Sequence, residues 1–444
     1  MFKLTLILAF VFLCPGFTYG QNTNEVWNPE KKTFSLYKER NWSELIFWGK
    51  KAINEGNDYF YLRMRLGIAF YERKNYHRAL IHFKKAAEFN DKDSYLLEYL
   101  YFANLFSGRE KAALDVTRKF PPTKTKKYIT GRIPKFKIGG LGMQYYQGSL
   151  KTDVDLINSI DDPSLDGYQV FTNNSLKFHL GFNHLASRRF NLYYQYGLFI
   201  DNRFTYYQDN MNAYYFTSQK IYEHHLFMLG GIYLGKDFNL YGSVHYIPGK
   251  IPEYYSGAGF STSYVPAYKY NDFTGSLFLS KEFPYITIDG SASFSYLNFG
   301  KYIQEGASIT FFPLGNLNLY LKGGYYWQQE IFNAKMYKKG THVEYKAGFR
   351  VFNPLWFEFG GSSGDLHYTV SQLGWQVFNG PNPSDILLTG SIIIPFNEDQ
   401  TIFSLNYNYI NSISSFVSDD PLQADLNSKT YYIYSIYGGL SWKF

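Results

Sequence analysis

From about residue 135 to the end of the chain, apolar and polar positions alternate one by one. In "FNLYYQYGLFID", Phe190, Leu192, Tyr194, Tyr196, Leu198 and Ile200 share a side, opposite Asn191, Gln195 and Asp201. "YITIDGSASFSY", "HVEYKAGFRVF" and "TIFSLNYNYI" repeat the pattern. A period of two predicts strands whose two faces meet different surroundings. Each run is ten residues or longer, the length of a tilted crossing of a bilayer. Fourteen strands are expected, near 135–148, 174–185, 190–207, 215–234, 238–248, 269–280, 285–298, 302–312, 317–331, 341–352, 356–368, 385–396, 401–414 and 431–444. The connections alternate. Short turns fall at 186–189, 235–237, 281–284, 313–316, 353–355 and 397–400, and long polar outer connections at 149–168, 249–268, 369–384 and 415–430. An even count puts both ends of the sheet on one side, with the short turns.

Whether the apolar faces meet a protein core or lipid is decided by the other faces. A soluble sandwich would cover its outside with Lys and Glu. Here the polar faces carry mostly Ser, Asn, Gln, Thr, Gly and Tyr, which suits a crowded or water-filled lumen. A bilayer forbids open sheet edges, so such strands close into an antiparallel transmembrane β-barrel of about 14 strands, within a range of 12–16. Strand parity points ten charged or titratable residues into that lumen: Lys177, His179, Asp201, Arg203, Asp289, Lys322, Glu344, Lys346, Arg350 and Glu358. Charges lining a wet lumen set its selectivity, or brace it as internal ion pairs. The last residues, "YGGLSWKF", resemble the C-terminal recognition strand of bacterial outer-membrane barrels. That resemblance implies that Trp442 and Phe444 are read by the barrel-assembly machinery.

Between Asn41 and Val116 the apolar period is instead helical, and it repeats every 34 residues. Leu45, Gly49 and Ala52 recur as Ala79, Phe83 and Ala86, and Leu66 and Ala69 as Leu100 and Ala103. The unit "LGIAFYERKNYHRALIHFKKAAEFN" resembles the tetratricopeptide repeat, with Gly67, Ala79, Phe83 and Ala86 as packing positions. The resemblance implies helical hairpins with a concave face for a protein partner. Tyr61, Met64, Ile68, Tyr71, Tyr95 and Phe102 are the groove candidates. Packing against the following helices or the barrel rim is the other reading. The stretch 117–134 holds Pro121-Pro122 and many basic residues without an acid, and reads as a linker, solvated or facing lipid and lipopolysaccharide phosphates.

Composition adds limits. Residues 1–20 read as a signal peptide, with Lys3 before an apolar run too short for an anchor. Cys14, the one cysteine of the chain, lies inside it, so the mature chain would hold no disulfide or thiolate, which suits a bacterial envelope. A net charge of +7 over 444 residues gives no nucleic-acid signal. Neither metal nor cofactor is expected, nor a catalytic site. "GSSGD" at 361–365 sits on a strand without the helix that a serine elbow needs. In "EHH", His224 and His225 point to opposite faces and read as girdle or loop residues. The loop aromatics Tyr254, Tyr255 and Tyr264 offer stacking surfaces for sugars or for their own loop.

The fold class expected is thus α+β multidomain. A tetratricopeptide-like periplasmic domain over 21–116 is joined by the linker 117–134 to an outer-membrane barrel over 135–444. This order resembles the YaiO-like outer-membrane family and, more loosely, barrels that export exopolysaccharides. The resemblance implies transport or export of surface material such as polysaccharide, with the repeats docking a periplasmic partner. A non-conducting structural or assembly component of an envelope complex is the alternative.

Overall fold

The computed structural model describes residues 28–122, 138–150, 167–208, 214–256, 263–333, 335–397, 400–417 and 428–443. The expected signal peptide, the linker from 123 on and Phe444 lie outside the described residues, as do the side chains of Tyr254, Tyr255 and Tyr264.

Six helices come first: α1 (Pro29–Lys38), α2 (Trp42–Asn54), α3 (Phe60–Glu72), α4 (Tyr76–Phe89), α5 (Ser94–Phe106) and α6 (Glu110–Val116). Local chemistry sets their starts. The Asn28, Asn41 and Asn75 side chains accept backbone N–H groups at the first turns of α1, α2 and α4, and Asp93 does so for α5. Helix starts recur at a spacing of 34, from Trp42 to Tyr76 to Glu110 and from Phe60 to Ser94. The hairpins close where glycine leaves room. A Cβ on Gly67 would meet the Phe83 ring at 2.3 Å, and one on Gly49 the Leu66 side chain at 2.7 Å. Leu45, Leu62, Leu66, Ala69, Ala79, Phe83, Leu96 and Ala103 form the core of this stack.

Residues 117–120 belong to the helical domain rather than to a linker. A 3-10 turn, Thr117–Lys119, continues α6, and Thr117 and Phe120 are buried. Arg118 and Lys119 pair with Asp115 and Asp91, so these two basic residues have carboxylate partners of their own.

Fourteen antiparallel strands then close a barrel: β1 (Ile138–Gly148), β2 (Gly167–Leu185), β3 (Phe190–Gln208), β4 (Tyr214–Gly235), β5 (Phe238–Ile251), β6 (Tyr268–Phe283), β7 (Ile286–Leu297), β8 (Gly300–Phe311), β9 (Leu319–Phe332), β10 (Lys335–Phe352), β11 (Leu355–Gly364), β12 (Ser384–Phe396), β13 (Thr401–Ser414) and β14 (Lys429–Lys443). Each pairs with its neighbour in sequence, and β14 pairs with β1 to close the ring. Outside, Leu141, Met143, Leu226, Met228, Leu277, Ile309, Phe359 and Ile436 stand exposed. Inside, buried Ser, Thr, Asn, Gln, His and carboxylate side chains face one another. An apolar outside around a polar inside is the inverse of a water-soluble protein and fits a barrel held in lipid. Among the described residues no helix is long and apolar enough to cross a membrane.

Strand limits depart from expectation in three places. β2 begins at Gly167 rather than near 174 and β10 at Lys335 rather than near 341, and β11 stops at Gly364 rather than near 368. At Gly364 φ is +123°, and a Cβ there would meet the Thr341 carbonyl oxygen at 2.3 Å, so the chain leaves the wall at a position only glycine fills.

Candidate functional site: the occluded lumen

The segment that follows Gly364, residues 365–383, is not the outer loop expected from its length. It folds into the lumen. Tyr368 stacks on Tyr302 of β8 at 4.9 Å, and its carbonyl accepts from Gln328 of β9. Gln304 bonds Val370 through both its amide atoms. Asn379 donates to Asp272 of β6, and Asn382 to the Tyr431 hydroxyl of β14 and to the Val170 carbonyl of β2. The segment is therefore tied to strands all round the ring. Its composition explains the route: Leu366, Tyr368, Val370, Trp375, Val377 and Phe378 are apolar surface that a solvated loop would expose.

Trp375 sits at the deepest part. Its indole stacks on His245 of β5 (5.2 Å, planes 12° apart) and meets Phe227 of β4 edge-on at 5.5 Å. His225 and His179 also touch it, and the Lys177 ammonium lies 4.6 Å above the ring. The preceding residues Gln372, Leu373 and Gly374 all have positive φ, at 50°, 57° and 96°. Two of them are not glycine, so the tip is strained and held by its contacts.

Beside the segment lies a cavity of about 590 Å³. On β13 its lining runs from Ser404 to Ser412, about 26 Å of strand at the usual rise. The wall of β1 and β12–β14 contributes neutral groups, among them Gln144, Thr389, Ser391, Asn406 and Asn408, with Gln144 and Asn408 both donating to the Ser435 hydroxyl.

All ten residues assigned to the lumen by parity lie on the inward side of their strands. Six line the cavity: Lys177, His179, Asp201, Arg203, Lys346 and Glu358. Arg203 pairs with Asp201, which also accepts from Ser175 at 2.5 Å. Lys346 pairs with Glu358 at 3.2 Å, and Tyr320 donates to the same carboxylate. His179 stacks on Tyr437 with planes 8° apart. The other four lie away from the cavity. Asp289 accepts from Ser308, Lys322 stands directly across from Lys346, Glu344 lies 4.0 Å from His342, and Arg350 bonds Asn353 over the Trp356 ring.

His225 corrects the reading of "EHH". His224 does face outward, against the Tyr196 hydroxyl at 2.8 Å. His225, however, is buried in the lumen with Glu223 and His245. Parity already puts Glu223 and His225 on one face. Their meeting with His245 depends on the β4–β5 register, which pairs Phe227 with His245 and so sets His225 diagonally across.

The end of the barrel with the short turns is covered by the helical domain. Lys84 of α4 bonds Asp237 in the β4–β5 turn at 2.6 Å. Arg109, 5% exposed in its side chain, donates to the Phe283 carbonyl at 2.8 Å and lies 3.7 Å from both Asp237 and Glu282. Asp115 takes a two-pronged contact from Arg189 in the β2–β3 turn. His77 accepts from the Tyr285 backbone N–H, and Asn316 donates to the Lys74 carbonyl. Lys111 of α6 reaches inside, its ammonium 3.9 Å from the centre of the Tyr241 ring.

The groove candidates divide. Met64 and Ile68 are buried in the helical core instead of lining a face, because the stack closes over them. Tyr71 packs among Tyr76, Tyr99 and Phe106, and Phe102 stacks on Phe106. Tyr61 and Tyr95 stand 62% and 71% exposed. Trp442 lies across Gly139 of β1, where a Cβ would meet its indole at 2.9 Å. The described residues hold no cluster of three or more His, Cys, Asp or Glu able to bind a metal.

Fold and site together define a lipid-embedded barrel with a folded-in segment across its lumen and a helical cap over its short-turn end. No known family model matches the chain. No curated protein matches it either. Among solved structures it is similar to the P. putida toluene transporter TodX, at 9% identity and a TM-score of 0.43, over 75% of this chain and 94% of that one. It is also similar to a Pseudomonas aeruginosa FadL homologue, at 10% identity and 0.40, over 70% and 91%. A third is the Ralstonia pickettii toluene transporter TbuX, at 8% and 0.41, over 70% and 90%. No substrate follows from likeness at this level.

Proposed function

We propose that this is an outer-membrane transport barrel in its closed state, with the segment 365–383 as its gate and the helical domain on the periplasmic side. The single observation that carries the reading is the cavity of about 590 Å³ beside a strained segment that spans the lumen. A scaffold that only anchors would be served by a lumen filled with side chains. The size and polar lining favour small polar solutes over a threaded polymer, so the export of polysaccharide implied by family resemblance is set aside. The test is conductance in planar bilayers. Replacing residues 367–382 by a short Gly-Ser link should turn a nearly silent barrel into a steadily conducting one. If the shortened variant folds and stays silent, the transport reading fails.

The exposed rings of Tyr61 and Tyr95 favour a second reading, in which the tetratricopeptide-like hairpins dock an envelope partner and the barrel serves as anchor. Cross-linking in cells from Tyr95→Cys would separate the two: a partner captured there from a silent barrel supports anchoring.

A further inference from the structure

We propose that Glu223, His225 and His245 form a proton-binding chain that latches segment 365–383 in the lumen, and that a further proton on it releases the segment. The inference rests on the gate reading above for its consequence, not for its chemistry.

The proton positions follow from the acceptors. The Gly374 carbonyl only accepts, so His245 Nδ1, 3.1 Å away, donates to it. A neutral His245 then presents a bare Nε2, and His225 Nδ1, 3.1 Å from it, is the donor. That leaves His225 Nε2 facing Glu223 Oε2 at 3.4 Å, both buried without another hydrogen-bond partner. Two acceptors confronting each other in a dry place would repel, so a proton lies between them. The chain thus carries one proton more than its neutral histidines and ionised carboxylate would, as an imidazolium–carboxylate pair. The Tyr270 hydroxyl of β6 donates to the other oxygen of Glu223 at 2.5 Å.

Among the ring nitrogens, only His245 Nε2 has a lone pair for a second proton. It would set two N–H groups head to head at 3.1 Å and two imidazolium rings 5.1 Å apart. Lys177 of β2, over Trp375, adds positive charge from a facing strand, while Arg203 of β3 is paired with Asp201. His245 must then leave His225. Turning away breaks its Nδ1–H bond to the Gly374 carbonyl and its stack on Trp375, and the strained turn at 372–374 favours the departure. Acid therefore unlatches the segment.

The full chain with Cys14→Ser and Leu373→Cys, purified in detergent and labelled with an environment-sensitive fluorophore, reads the segment directly. Emission is expected to change in one sigmoidal step below about pH 6.5. His245→Phe keeps the stack and removes the acceptor, and should be flat. His225→Gln removes the neighbouring charge and should move the midpoint up by about one pH unit. Heat-modifiable migration checks that each variant folds, and His225→Gln carries the test if His245→Phe does not. No emission change in the parent, a His245→Phe response like the parent's, or an unmoved His225→Gln midpoint would overturn the latch. Release without conductance would keep the latch and remove the gate. A shortened-segment variant that conducts while the parent's emission is pH-silent would do the opposite.

Discussion

Trp375 lies parallel to His245, ring centres 5.2 Å apart and planes tilted by 12°. One residue comes from a connection between strands and the other from the barrel wall, and their contact holds the segment at mid-lumen. The indole also meets Phe227, His225 and His179. Aromatic pairs contribute about 0.5–1.5 kcal/mol each beyond their area. Trp375→Ala should therefore shift the closed state toward open by roughly tenfold or more. Influx of a small sugar into proteoliposomes, against the parent, measures it; an unchanged rate in a folded variant would show that the indole does not hold the segment.

Arg109 joins the helical domain to the barrel at a buried position. Its fork meets the Phe283 carbonyl, Asp237 and Glu282. Truncation leaves the Glu282 carboxylate facing a void, while Asp237 keeps Lys84, at a cost of about 3 kcal/mol. Arg109→Ala should free the helices from the rim while the barrel stays intact. The measurement is limited proteolysis in detergent, in which the helical part should be cut several times faster. Equal rates would mean that the Lys84–Asp237 and Asp115–Arg189 pairs suffice.

Two histidines make the helical domain sensitive to acid. Burial, and then the Arg109 charge, push His77 down to about 3. Burial, and then Arg63, push His82 down to about 4. Both therefore stay neutral in the folded domain while the unfolded chain takes protons near the ordinary value of 6.5. Their contribution to stability is complete above about 6.5 and is lost as pH falls from there toward 4 and 3. Thermal melts followed at 222 nm should show the melting point of the helices falling from pH 7 to 4, and the fall should be shallower in His77→Gln/His82→Gln.

Lys111 makes the opposite prediction, since here removal helps. Its ammonium is buried over Tyr241 with no hydrogen-bond partner, and burial pushes it down to about 8. A cation over a ring gains up to about 2 kcal/mol when desolvated, less than an unpaired ammonium loses on burial. Lys111→Met keeps the length and drops the charge. It should raise the melting temperature by a few degrees at pH 7, and a lowered one would show that the ammonium is held by a partner such as Glu282.

Much of the barrel was legible because lipid enforces one rule at every second position. Leu141, Phe294 and Tyr407 face outward for the same reason, and no long-range information is needed to place them. Parity likewise turns Lys177, Asp201 and Glu358 inward. The segment 365–383 was not legible in this way. It has no period, and its length matched an outer loop; only Tyr368, Trp375 and Phe378 hinted that it seeks cover. His245 was missed because its partners come from two other parts of the chain. In the helical domain, Met64 and Ile68 were placed on an open face because spacing alone does not show how tightly a third hairpin closes over the second.

Gly139, Gly140 and Gly142 bring no side chains to the first half of β1, and the bulk laid across these positions belongs to Trp442 and Tyr437 of β14 and His179 of β2. These are the two ends of the sheet, about 300 residues apart in the chain, so the contact is among the most distant the fold makes. The ring therefore has a clasp, made by the first and the fourteenth of its strands. With that clasp unfastened the sheet has two raw edges, so seating these aromatics and shielding the edges are one event.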